Sequence, residues 1–127
     1  MNIKISTDKL GSLRIFIKAN DMLPATSFWY KLFPINLSRY LIKQAKLSGI
    51  RAANILTTQA GYCNGSAIQT WGVETGSYKL TLCVELVDTL EKLEDFFRNH
   101  QTLLKNKLVL FRELERWQSE SQDDKTT

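Results

Sequence analysis

Lys79-Leu-Thr-Leu-Cys-Val-Glu-Leu-Val87 runs straight into Asp88-Thr-Leu-Glu91-Lys-Leu-Glu-Asp-Phe-Phe97, so a strand pattern passes into a helix pattern with no spacer. Residues 79 to 87 alternate over nine positions, the period of a strand with one face buried. Asp88 and Glu91 then have the spacing of a capping box, with Asp88 as N-cap and Glu91 at N3. Leu90, Leu93 and Phe97 form the stripe of a helix expected to end near His100.

The flanking segments extend this strand-helix unit in both directions. Upstream, Gly61 to Tyr78 holds four of the six glycines of the chain and a single formal charge, Glu74. A connection that long inside a compact domain is normally functional or disordered, and its Tyr62, Trp71 and Tyr78 are groups able to fold over a ligand or partner. Before it, Arg51 to Gln59 reads as a strand. Asn36 to Ser48 reads as a helix with Leu37, Leu41, Ala45 (or Gln44) and Leu47 inward and Gly49 as its cap. Leu13-Arg-Ile-Phe-Ile-Lys18 alternates as the first strand. Downstream, Thr102 to Lys107 connects to a last strand, Leu108 to Glu115. The order βαββαβ predicts an α+β, ferredoxin-like sandwich with a long loop between its second and third strands. Residues 1–117 form the expected single domain, and 118–127 a polar tail expected to be disordered.

A chain of 127 residues buries most of its apolar surface without disulfides or a structural metal. Its longest apolar runs are too short for a membrane span, and Met1 to Lys9 lacks a signal-peptide pattern, so a soluble, cytoplasmic protein is expected. Cys63 and Cys83 form no CxxC and have no histidine nearby, so no metal or redox pair is expected, and Cys83 reads as a buried small hydrophobe. The net charge of +4 conceals a split. Residues 1–51 hold nine Lys/Arg against two acids, and residues 52–127 hold eight against eleven. The basic half is suited to an anion or to an ordinary solvated surface.

The face of the sheet turned away from the helices is expected to carry Phe16, Cys83, Val87, Val109 and Phe111 beside Thr81 and Glu85. Contiguous apolar surface marks an interface, and another copy of the chain is its simplest cover, which predicts a homo-oligomer. Three functions of this topology fail on residues. The third strand lacks the basic-glycine-aromatic pattern of RNA-recognition modules, so no nucleic acid is expected. Ala19-Asn-Asp-Met has no thiol for metal transfer, and Asn20 to Pro34 has no glycine for a phosphate cradle.

Leu13-Arg-Ile-Phe-Ile, Leu47-Ser-Gly-Ile-Arg-Ala-Ala53, Thr57-Thr-Gln-Ala-Gly-Tyr62 and Val84-Glu-Leu-Val-Asp-Thr-Leu-Glu-Lys-Leu93 resemble matching segments of PII-like signalling proteins, in the divergent branch of that family. The resemblance runs from about Leu13 to Trp117 and implies a homotrimer that is no enzyme. It implies an adenine nucleotide (AMP, ADP, ATP or cyclic AMP) bound between subunits, with no metal. The nucleotide sets the shape of the long loop, the T-loop, which docks on a regulated partner such as a membrane transporter for an inorganic anion like bicarbonate. Recruitment to the membrane would then be through that partner.

Carried onto this chain, the nucleotide-binding residues are Gly61, Tyr62 and Gly65 at the loop base, Lys105 and Lys107 before the last strand, and Arg112 and Arg116 on or after it. Glycine allows close backbone approach, and the cations pair with phosphate. Ala60 stands where the family pattern has lysine, Cys63 and Asn64 precede Gly65, and Leu104-Lys-Asn-Lys-Leu108 replaces a glycine-rich connection. These departures support an alternative, a structural or scaffold oligomer without ligand. His100 reads as a helix-end residue, and Glu94 and Asp95 as a solvated face. Ser27-Phe-Trp-Tyr-Lys-Leu-Phe33 is expected to pack on the sheet edge or a neighbouring subunit.

Overall fold

The computed structural model describes residues 2–24, 28–57, 60–61, 68–70 and 80–119. Its strands are β1 (Ile3–Ile5), β2 (Leu10–Lys18), β3 (Ala52–Thr57), β4 (Ala60–Gly61), β5 (Gln69–Thr70), β6 (Thr81–Thr89), β7 (Leu108–Leu114) and β8 (Trp117–Ser119). Its helices are α1 (Phe28–Leu32), α2 (Leu37–Leu47), α3 (Leu90–Asn99) and α4 (Gln101–Leu104). The main sheet has the order β3-β6-β2-β7 with every neighbour antiparallel. With α2 and α3 as the two crossovers, this is the ferredoxin-like α+β arrangement expected from the sequence.

The core follows from the register. Leu13, Ile15 and Ile17 stand beside Leu86, Val84 and Leu82, and these six side chains meet Leu37, Leu41 and Ala45 of α2 and Leu93 and Phe96 of α3. The Asn36 side chain caps α2 by accepting the Arg39 N–H at 3.3 Å, and Gly49, at φ 76°, turns the chain off its end. Leu47 departs from its expected place and is 71% exposed, because it lies one residue short of the next inward position after Ala45. In α3 the inward ring is Phe96, with Phe97 only half-buried.

The cap of α3 also differs from expectation. Thr89, not Asp88, is the N-cap, its hydroxyl accepting the Lys92 N–H at 3.4 Å. Asp88 is instead buried at the end of β6, where its carboxylate accepts the Arg51 N–H at 2.8 Å and the Thr89 N–H at 2.7 Å. The strand absorbs two residues more than its alternation predicts, so the cap moves by one.

Strand β7 corrects the expected composition of the open sheet face. Val109 pairs with Ile15 and Phe111 with Leu13, so both lie on the helix side, not beside Phe16 and Cys83. They line an apolar groove of about 480 Å³ with Leu93 and Phe97 of α3. Gly11 makes room there, since a Cβ on it would stand 2.3 Å from a Phe111 ring carbon. The residues of β7 that share the open face are Leu108, Leu110 and Arg112, in register with Phe16, Arg14 and Ser12. Strand β8 pairs with β1, Ile3 against Ser119 and Ile5 against Trp117, so the second sheet runs two residues into the segment expected to be a polar tail.

Candidate functional site

One end of the main sheet gathers Lys105, Lys107 and the start of the glycine-rich connection. There β2 ends at Lys18 beside Thr81, β3 ends at Thr57 beside Leu82, and β7 begins at Leu108 beside Phe16. The glycine-rich connection leaves β3 at this end, and its base is a short hairpin with Ala60 opposite Thr70 and Gly61 opposite Gln69. Gly61 lies four residues past the end of β3, in a two-stranded sheet separate from the main one. Tyr62 and Gly65 lie outside the described residues, as do Cys63, Trp71 and Tyr78.

Lys105 and Lys107 occupy the same end but the opposite, β7 edge. Lys105 has φ −59° and ψ 134°, Asn106 has φ 68°, and the Lys107 N–H donates to the Leu104 carbonyl at 3.1 Å. That is a type II turn, with asparagine at the position needing a left-handed backbone. Lys105 is exposed, whereas Lys107 donates from Nζ to Asp21 Oδ2 at 2.8 Å, with both side chains about a quarter exposed. The same Asp21 oxygen accepts the Lys18 N–H at 2.9 Å, and the Asp21 carbonyl accepts the Leu37 N–H. Asp21 thus clamps the end of β2, the start of α2 and the turn before β7. Its sequence signal was weak, a lone acid three residues after a strand-ending lysine.

Arg112 and Arg116 are elsewhere. Arg112 is exposed on the open face opposite Ser12, five residues or roughly 17 Å along the strand from Lys107. Arg116 follows β7 at the far end, where its carbonyl accepts the Ser6 N–H. The chain therefore brings together Lys105 and Lys107 but neither arginine, and the end of β3 that leads into the loop stands across the width of the sheet from them, about 14 Å for three strand spacings.

The open face has a polar centre within an apolar surround. Glu85 Oε2 accepts from Arg14 Nε at 2.9 Å and from the Ser12 hydroxyl at 3.2 Å. Around this group lie Phe16, Leu56, Cys83, Val87 and Leu110, of which Leu56 and Leu110 are more than two-fifths exposed. Cys83 is a buried free thiol, as its strand position implied. Burial pushes its pKa up, partly offset by the Arg14 charge. His100 sits at the C-terminus of α3, its Nδ1 2.8 Å from the Phe96 carbonyl and its ring against Phe96, a structural role. Glu94 faces solvent and meets Arg98 at 3.5 Å. Among the described residues no group of His, Cys, Asp and Glu could hold a metal ion, and no helix is long and apolar enough to cross a membrane.

This fold is shared with solved structures of PII-like proteins. A structure of CPII from Thiomonas intermedia K12, described as a nitrogen regulatory PII-like protein bound to ADP, AMP and bicarbonate, matches over 91% of each chain with TM-score 0.58 and 8% identity. A putative PII-like signaling protein from Thermus thermophilus matches over 93% of each chain with TM-score 0.52 and 14% identity. A UPF0166 protein from Aquifex aeolicus (strain VF5) is 31% identical over 83 residues, 65% of this chain and 85% of that one. The family model DUF190 (Uncharacterized ACR, COG1993) matches residues 11–116, and the chain belongs to that family.

Proposed function

We propose that this chain is a signal-transduction protein that binds an adenine nucleotide in clefts between the subunits of a homotrimer. It regulates a partner through the loop at residues 58–79 and performs no catalysis. The observation that carries this reading is that β3, which leads into the loop carrying Gly61, ends at the same end of the sheet where the Lys105–Lys107 turn leads into β7, on the opposite edge. A single ligand reaches both only if the β7 edge of one subunit meets the loop base of another. The apolar open face supplies a reason for subunits to associate. CPII, similar in fold, holds ADP and AMP with bicarbonate, which supports an adenine nucleotide as effector and an inorganic-anion transporter as the regulated partner.

In that cleft the Gly61–Tyr62 backbone, with Gly65, contacts base or ribose, and Lys105 contacts phosphate directly. Lys107 joins it by exchanging Asp21 for the phosphate, and Arg112 and Arg116 contribute only from an adjoining subunit. Calorimetric titration of AMP, ADP, ATP and cyclic AMP tests the reading. At least one is expected to bind. Lys105→Ala with Lys107→Ala should weaken a di- or triphosphate relative to adenosine by about 10- to 150-fold per lost charged hydrogen bond. Absence of binding at millimolar nucleotide refutes it. The second reading, a scaffold oligomer without ligand, is favoured by one observation: the Lys107 ammonium and N–H are both already bonded, so the turn offers no backbone cradle at that residue. It becomes the leading one if the trimer forms but no nucleotide binds.

A further inference from the structure

We propose that residues 28–46 form a contact surface for an anionic lipid bilayer, distinct from the loop at 58–79. The short helix α1 carries Phe28, Trp29 and Leu32, and Phe33 follows it. Their exposures are 68%, 67%, 54% and 66%, so the cluster stands out from the protomer rather than packing on its sheet edge. The rings pack on one another: Trp29 and Phe33 are stacked with centroids 6.2 Å apart, and Phe28 meets Trp29 edge-on at 6.2 Å. Four large apolar side chains left in water within six residues are costly unless something else receives them.

The charge around them identifies the receiver. From Met22 to Ile50 the chain has no acid and four cations, Lys31, Arg39, Lys43 and Lys46. Arg39, Lys43 and Lys46 repeat at i, i+4 and i+7 along the exposed side of α2, and Lys31 of α1 is exposed. None of the four has an ion-pair partner among the described residues. Projecting tryptophan and phenylalanine rings beside uncompensated cations match both layers of an anionic membrane surface. The rings enter the boundary between headgroups and acyl chains, and the cations stay among the phosphates. A neutral protein surface would satisfy the rings and leave the cations unpaired. The inference is independent of nucleotide binding, since no residue of the candidate site takes part.

Flotation of the full chain with vesicles of phosphatidylcholine, with and without phosphatidylglycerol, tests this. Binding is expected to the anionic vesicles, falling with salt, and to be much weaker to the neutral ones. Trp29→Ser with Phe33→Ser should lower binding to anionic vesicles at least about tenfold without changing the thermal melt, because both side chains are exposed. Lys43→Gln with Lys46→Gln should lower it about 25-fold at low salt, roughly fivefold per cation. In protein carrying Trp71→Phe and Trp117→Phe, brominated acyl chains should quench the remaining Trp29. The proposal is overturned if the unsubstituted chain does not float with anionic vesicles, if the aromatic substitutions leave flotation unchanged, or if Trp29 is not quenched. A fall in lipid-free particle mass on those aromatic substitutions also overturns it, by assigning the cluster to a contact between copies of the chain.

Discussion

Replacing Asp88 tests how the helix layer is fastened to the sheet. The side chain is 2% exposed and its two oxygens accept the N–H groups of Arg51 and Thr89 at 2.8 and 2.7 Å. The first bond ties the chain leaving α2 to the end of β6; the second orders the entry to α3. Each is a charge-assisted hydrogen bond in a site closed to water, worth about 1.5–3 kcal/mol, and alanine would leave both donors without acceptors. The Lys92 ammonium, 3.8 Å away and half exposed, adds at most about 1 kcal/mol. Asp88→Ala should therefore cost roughly 3–5 kcal/mol, a large fraction of the total for a domain of this size. Asp88→Asn keeps one acceptor and should cost about half as much, while Thr89→Ala loses only a long cap bond, about 0.5–1 kcal/mol. Urea unfolding followed by circular dichroism, with the slope checked for constancy, measures all three. If Asp88 acted as an N-cap, asparagine would replace it at almost no cost and alanine would cost about 1 kcal/mol. Either result refutes the argument.

Leu110→Asp should convert the proposed trimer to monomers in light scattering, because it places a carboxylate on the open face, whereas Phe111→Asp should leave the mass unchanged and lower stability by roughly 1–2 kcal/mol through the α3 groove. An unchanged mass for Leu110→Asp would place the subunit contact elsewhere. Cys83 should resist alkylation in the native protein at mildly alkaline pH and react in urea, since burial favours its neutral thiol. The sign of its linkage follows: the folded state holds the proton more tightly, so this contribution is complete below the ordinary thiol pKa and is lost as pH rises above it. A rise in stability across that range, in wild type but not in Cys83→Ala, would contradict it. Amide exchange should be fast across residues 62–78 without ligand and slow across Leu82 to Val87, and equal protection of the two would contradict a nucleotide-set loop.

Period-two alternation in Leu13–Lys18 and Lys79–Val87 and the 37/41/45 stripe fixed the element order, because each reports which face meets the core. Alternation alone does not report which partner residue stands opposite. Leu108-Val-Leu-Phe is apolar at every position, so either parity fits, and only pairing with β2 decides that Val109 and Phe111 go to the helices. The same limit explains the cap: Asp88 and Thr89 are both good N-cap types, and the choice between them depends on Arg51, 37 residues away, needing an acceptor. The β1–β8 pairing joins chain ends more than a hundred residues apart and rests on three residue pairs, too short for any periodicity to announce it.

The candidate site was legible as a set of residues but not as a place. Sequence order puts Lys107 and Arg112 five residues apart, and strand geometry makes that roughly 17 Å and two different surfaces. Conversely Lys18 and Lys107 are 89 residues apart yet share one carboxylate oxygen of Asp21. That clamp has a consequence for the switch. A phosphate drawn to Lys107 would compete with Asp21 for its ammonium, and Asp21 also holds the end of β2 and, through its carbonyl, the first turn of α2. Anion binding at the β7 edge, as proposed above, would thereby act on the segment that leads from β2 through α1 into α2. The coupling needs no chain of remote contacts, because one aspartate belongs to both elements.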